Sequence, residues 1–171
     1  MRRLLLTFIA SVLCIGVHAQ RFSFRTTVGT GFDLSTPAST PILWRVSGQY
    51  RIVERLSVGA GTGLSFYEKA LIPVFAAVKF SITRPRKFTP FVECRTGYAF
   101  APARYANGGF YLNPCFGVRY AVGQRHGIFV DVGYESQNLE RLKTYENRYL
   151  KAQFAEKLRH RSIVVALGFE F

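Results

Sequence analysis

The sequence predicts an all-β fold, an eight-stranded antiparallel up-and-down transmembrane β-barrel. Three observations point there. Eight stretches alternate apolar and small or polar residues at period two, the signature of strands with two unlike faces. The apolar faces of all eight lack Asp, Glu, Lys and Arg. Large aromatics on those faces gather near the strand ends, where a membrane strand meets the edge of the hydrocarbon.

The final stretch shows the pattern most clearly. Ile163, Val165, Leu167, Phe169 and Phe171 alternate with Ser162, Val164, Ala166, Gly168 and Glu170. The earlier strands fall at about 21–33, 42–52, 56–67, 72–83, 88–100, 110–121 and 128–135. Their apolar faces include Phe24, Trp44, Val58, Val78, Val92, Phe116 and Val132. Residues 35–41 are Ser, Thr and Pro-rich and read as a loop. Gly123 to His126 reads as a turn. Pro90 and Pro114 fall inside strands, where each removes a ladder donor, and the sequence leaves open whether they mark bulges. Residues 137–159 do not alternate cleanly, and fit either a loose helical face or an extension of the two flanking strands.

The chain has 171 residues, which suits one domain. Residues 1–19 read as a signal peptide. Arg2-Arg3 precedes an apolar run from Leu4 to Val17 that is too short to span a bilayer, and Val17-His18-Ala19 offers small residues for cleavage. The expected mature chain is 20–171, released near Ala19. Removing Arg2 and Arg3 takes the net charge from +13 to +11. A basic exported protein favours lipid phosphates, and nucleic acid is not expected as a partner. No later stretch is long and apolar enough for a membrane helix. Cys94 and Cys115 fall on opposite faces of adjacent strands by alternation, so free thiols are expected. No Cys/His spacing suits zinc, and no cofactor is expected.

Alternation by itself also fits a soluble lipocalin-like binder with its apolar face inward. The charge-free apolar faces and the two aromatic rims favour lipid outside. One rim holds Phe22, Phe24, Tyr50, Phe80, Phe88, Tyr120, Phe169 and Phe171. The other holds Phe32, Trp44, Phe66, Tyr98, Phe100, Phe110 and Tyr134. The opposite face is rich in Gly, which suits a cramped lumen. It also carries Arg25, Arg45, Arg51, Lys79, Arg95 and Arg119 against Glu93, Asp131, Glu135 and Glu170. A dry lumen requires these to pair. Eight strands leave no aqueous channel, so an open pore is not expected.

With its leader, eight short alternating strands and terminal Phe171, the chain resembles the small OmpA/OmpX-type outer-membrane β-barrel proteins. The resemblance covers the whole mature chain. It implies residence in the outer membrane of a Gram-negative bacterium, contact with lipopolysaccharide and phospholipid, and a monomer. It also implies recognition of Phe169 and Phe171 by the outer-membrane assembly machinery. Only the 136–160 segment is long, unlike family members with several long outer loops. That segment carries seven Lys or Arg from Arg141 to Arg161 against Glu140, Glu146 and Glu156. The role expected is structural or interaction-bearing, without enzymatic activity. The alternative chemistry rests on His160 and Ser162, which resemble the His-x-Ser pair of the lipid A deacylases, with Glu135 or Glu170 as the orienting carboxylate. By alternation both would face the lumen, whereas lipid A lies outside.

Overall fold

The computed structural model describes residues 21–34, 40, 42–66, 70–102, 106–123, 126–147 and 150–171. The expected leader, its cleavage point and most of the 35–41 loop lie outside these residues. The strands are β1 (Phe22–Asp33), β2 (Ile42–Arg51), β3 (Leu56–Phe66), β4 (Ala70–Ser81), β5 (Phe88–Phe100), β6 (Ala106–Asn107), β7 (Gly109–Val122), β8 (His126–Asn147) and β9 (Leu150–Glu170). All but the two-residue β6 build one antiparallel barrel. Each barrel strand pairs with its sequence neighbour, and β1 pairs with β9 to close the sheet. Phe171 N–H donates to the Phe24 carbonyl at 2.9 Å, and Phe24 N–H donates back at 2.8 Å. The chain end therefore completes the ladder. Closure removes the free edges that an open sheet would expose.

The two faces are sorted as the alternation predicts. Phe24, Val78, Val132 and Leu167 are 48, 49, 48 and 57% exposed on the outside. Arg25, Glu93, Arg95 and Asp131 are buried inside. A lipocalin-like binder has the reverse arrangement, so that alternative fails. All fifteen aromatics assigned to the two rims keep their places on the outer face or its edge. Along one rim, Phe22 pairs in register with Tyr50 and Phe88 with Tyr120. Ring contacts join Phe22, Phe24, Phe171 and Phe169 in sequence.

The structure differs from the sequence reading at several points. Strand β4 covers 70–81, two residues earlier than expected, and Ile82 belongs to the turn, where its N–H donates to the Pro90 carbonyl at 2.9 Å. His126 starts β8 instead of ending a turn, and its ring stacks on Phe169. Gly123, at φ 77°, makes that turn.

Neither Pro90 nor Pro114 carries a bulge. The β5–β7 register runs unbroken through Pro90↔Val118 and Cys94↔Pro114. Between β7 and β8 it resumes unshifted from Leu112↔Ser136 to Cys115↔Gly133. The proline costs ladder bonds and not register, because Asn113 Nδ2 donates to the Tyr134 carbonyl at 3.3 Å. That side chain replaces the donor the imide lacks.

Within 137–159, left open between helix and strand, residues 137–147 and 150–159 are extended. Strands β8 and β9 continue as a hairpin from Gln137↔His160 to Asn147↔Leu150. In that register each of the three glutamates opposes a base: Glu140↔Lys157, Arg141↔Glu156 and Glu146↔Lys151.

Candidate functional site

The lumen gathers the charged residues of seven strands, because strand alternation turns them inward. Two clusters result. Nearer the end with the short turns, Arg25 and Arg95 bind Glu93, the first through Nη1 and the second through Nε at 2.8 Å. Arg95 also reaches Asp131 at 3.1 Å and donates to Asn113 Oδ1 at 2.8 Å. Glu170 collects Lys79 at 3.2 Å, Arg119 at 3.1 Å and Arg25 at 3.6 Å. The Arg25 guanidinium lies 3.8 Å from the Phe129 ring centre and 5.2 Å from that of Phe91. Cation–π attraction in a desolvated setting adds to the ion pairs.

Toward the long hairpin, Arg45 pairs with Glu135. Glu135 also accepts from Gln137 Nε2 at 2.6 Å and from the Tyr111 hydroxyl at 3.4 Å, and Gln137 donates to Ser65 at 3.1 Å. Alongside these clusters Leu71, Phe75, Ala77, Ala99 and Tyr111 form an apolar plug.

All nine charged residues assigned to the lumen from the sequence and named in these two clusters face inward and pair there. Arg51 does not; it is exposed at the rim. It borders a cavity of about 30 Å³ shared with Lys79, Arg119 and Glu170. That volume holds about one water.

The sequence pattern turned the interior's aromatics and amides inward without assigning them partners. Phe75, Phe91, Tyr111 and Phe129 fill space that the glycines make. A Cβ on Gly117 would come within 2.6 Å of Phe91 Cζ, and one on Gly61 within 2.8 Å of Phe75 Cζ. The closest approach to a side chain is at Gly168, against the Phe129 ring. That ring is buried and capped by Arg25, so it has nowhere to move. Gly168→Ala is expected to destabilise the barrel by about 1–3 kcal/mol through overpacking. Phe129→Leu should restore most of the loss. Denaturant unfolding of both variants in detergent checks this, and an unaffected Gly168→Ala would contradict the packing. Alternation marked all these residues as inward, but their opposing heights come from register.

His160 and Ser162 are buried on the lumen face, 6 and 0% exposed. Ser162 lies opposite Glu135 in register, and His160 opposite Gln137. Glu170 is ten residues further along the strand from His160, about 33 Å away and too far to orient it. Cys94 is exposed outside and Cys115 buried inside, both as thiols. Among the described residues no three His, Cys, Asp or Glu cluster to hold a metal ion, and no helix is long and apolar enough to cross a membrane.

A closed barrel with an apolar outside, aromatic rims and a packed polar lumen defines a transmembrane-type β-barrel. Solved structures share the fold. Neisserial surface protein A superposes with a TM-score of 0.57 at 16% identity, over 88% of this chain and 97% of the other. The N-terminal β-barrel domain of Pseudomonas aeruginosa OprF gives 0.51 at 10%, over 87 and 97%. The outer-membrane protein AlkL in lipid bilayers gives 0.51 at 15%, over 88 and 87%. At such identities the likeness is one of fold. No protein-family model matches the sequence, and no curated protein does.

Proposed function

We propose that this is an integral outer-membrane barrel of the small OmpA/OmpX-like kind, without catalytic activity or an open pore. Its role is structural, or is carried by interactions of the 136–160 hairpin. The observation that carries the reading is the inversion of the barrel: Val, Leu and Phe outside, paired charges inside. The filled lumen supports a closed pore, since Arg25 with Phe91 and Phe129, and the Leu71–Phe75–Tyr111 plug, occupy successive levels.

The chain resides in the outer membrane of a Gram-negative bacterium after cleavage near Ala19, as a monomer among lipopolysaccharide and phospholipid. Assembly proceeds through recognition of the β9 terminus with Phe169 and Phe171. Both termini and the short turns face the periplasm, and the hairpin faces out. Arg55, Arg84, Arg86 and Lys87, exposed at the short-turn rim, meet inner-leaflet phosphates.

Cell fractionation tests the reading. The protein should pellet with outer membrane and migrate faster on gels when unheated. Recovery from periplasmic supernatant, or mobility insensitive to heating, would reject it. The absence of hydrolase activity has its own test. Buried in the lumen, His160 and Ser162 stand on the wrong side of the wall for an ester in the bilayer. Lipid A from cells expressing the protein should be unmodified, and Ser162→Ala should change nothing. Deacylated lipid A that returns to normal in Ser162→Ala cells would establish the hydrolase instead.

A further inference from the structure

The outer wall is not evenly covered. Where β8, β9, β1 and β2 adjoin, a groove of about 390 Å³ is lined by Val28, Thr30, Ile42, Val130, Val165 and Leu167. Gly29 and Ala166 form its floor. Small and β-branched residues stand here between the larger aromatics of the two rims. Phe32, at its upper lip, is 75% exposed, more than any other large apolar side chain among the described residues. It pairs in register with Ile163, which is also exposed.

Directly above, on the same strand, stands Arg161. It is exposed, and its carbonyl accepts from Leu34 N–H at 2.7 Å, which ties the backbone there to the end of β1. Arg161 lies opposite Ser136 in the β8–β9 register. Val165 and Arg161 are four residues apart, about 13 Å along the strand. A cation at headgroup height thus stands over an apolar groove at acyl-chain height.

We propose that the β9–β1 seam is a binding site for one phosphorylated lipid of the outer leaflet. An acyl chain lies in the Val28–Thr30–Val165–Leu167 groove and the phosphate sits on Arg161. The guanidinium binds phosphate by charge-assisted, bidentate hydrogen bonds. The apolar groove gains by excluding poorly packed tails. This inference rests on the membrane orientation proposed above and adds a specific lipid site to it.

The test uses the mature protein extracted in mild detergent from outer membranes and examined by native mass spectrometry, with the retained lipid identified by mass. The wild type should keep one phosphorylated lipid. Arg161→Glu should reduce its occupancy at least tenfold. Thr30→Trp, which fills the groove and leaves the cation, should do the same. Heat-shifted gel mobility confirms that each variant folds, and Arg161→Lys should retain most of the lipid if a variant is lost to misfolding. Occupancy equal in all variants overturns the proposal. So does retention of a lipid whatever its headgroup, or a protein dimer that Thr30→Trp abolishes, which would give the groove to a second copy. A chain that fails to fractionate with outer membrane instead sinks the underlying reading, a result independent of lipid occupancy.

Discussion

Val132→Arg is expected to cost the folded barrel about 2–4 kcal/mol. Val132 is 48% exposed, halfway between the aromatic rims, with Phe116 and Val165 on either side in register. On the surface of a soluble protein such a change would fall within about 0.5 kcal/mol of neutral. In the hydrocarbon the guanidinium must be desolvated or drag water and headgroups inward. The comparison that isolates the cause is Ser136→Arg, on the same strand and face but beyond Tyr134. There the penalty falls to about 0–1 kcal/mol. Urea unfolding in phospholipid vesicles, followed by the unheated gel shift, measures both. Equal tolerance at 132 and 136 would mean that the apolar wall does not face lipid.

Removing Glu93 should be the most damaging change inside the lumen. Its carboxylate takes Arg25 and Arg95, and Gln49 Nε2 donates to it at 3.4 Å. Glu93→Ala leaves two buried guanidiniums short of an acceptor. Breaking a buried pair this way costs about 3–5 kcal/mol. Arg95 still has Asp131 and Asn113, and Arg25 still has Glu170, which places the loss toward the lower end of that range. The informative partner is the double variant Arg25→Met, Glu93→Met. It removes one charge of each sign and restores the filled volume. It should recover most of the stability, since a buried ion pair rarely outdoes a packed apolar pair. Equilibrium unfolding of the three proteins gives the result. A double variant as weak as Glu93→Ala would show that the lumen depends on charge itself and not on the avoidance of stranded charge.

The strands and their faces were legible because lipid and lumen impose opposite demands on alternate residues. Phe24, Val78, Val132 and Leu167 had only one side to take, and so did Arg25 and Glu93. Where neither environment acts, the pattern was silent. Residues 137–147 and 150–159 pair as extended strands, yet their apolar residues do not alternate. Strand β4 was misplaced by two residues because Ile82 continues the apolar rhythm into the turn.

What the sequence by itself determined is the class of fold, the inside and the outside, and the chain's own last residues as part of the wall. Only the tertiary structure decided who meets whom. Arg25 and Glu93 are 68 residues apart, and nothing local says that they share a height. That follows from the stagger of eight strands, which is fixed when β1 closes on β9. The same closure lays Phe129 over Gly168 and puts Asn113 where Pro114 leaves a carbonyl without its donor. Side-chain periodicity is a property of one strand, whereas register belongs to the closed sheet.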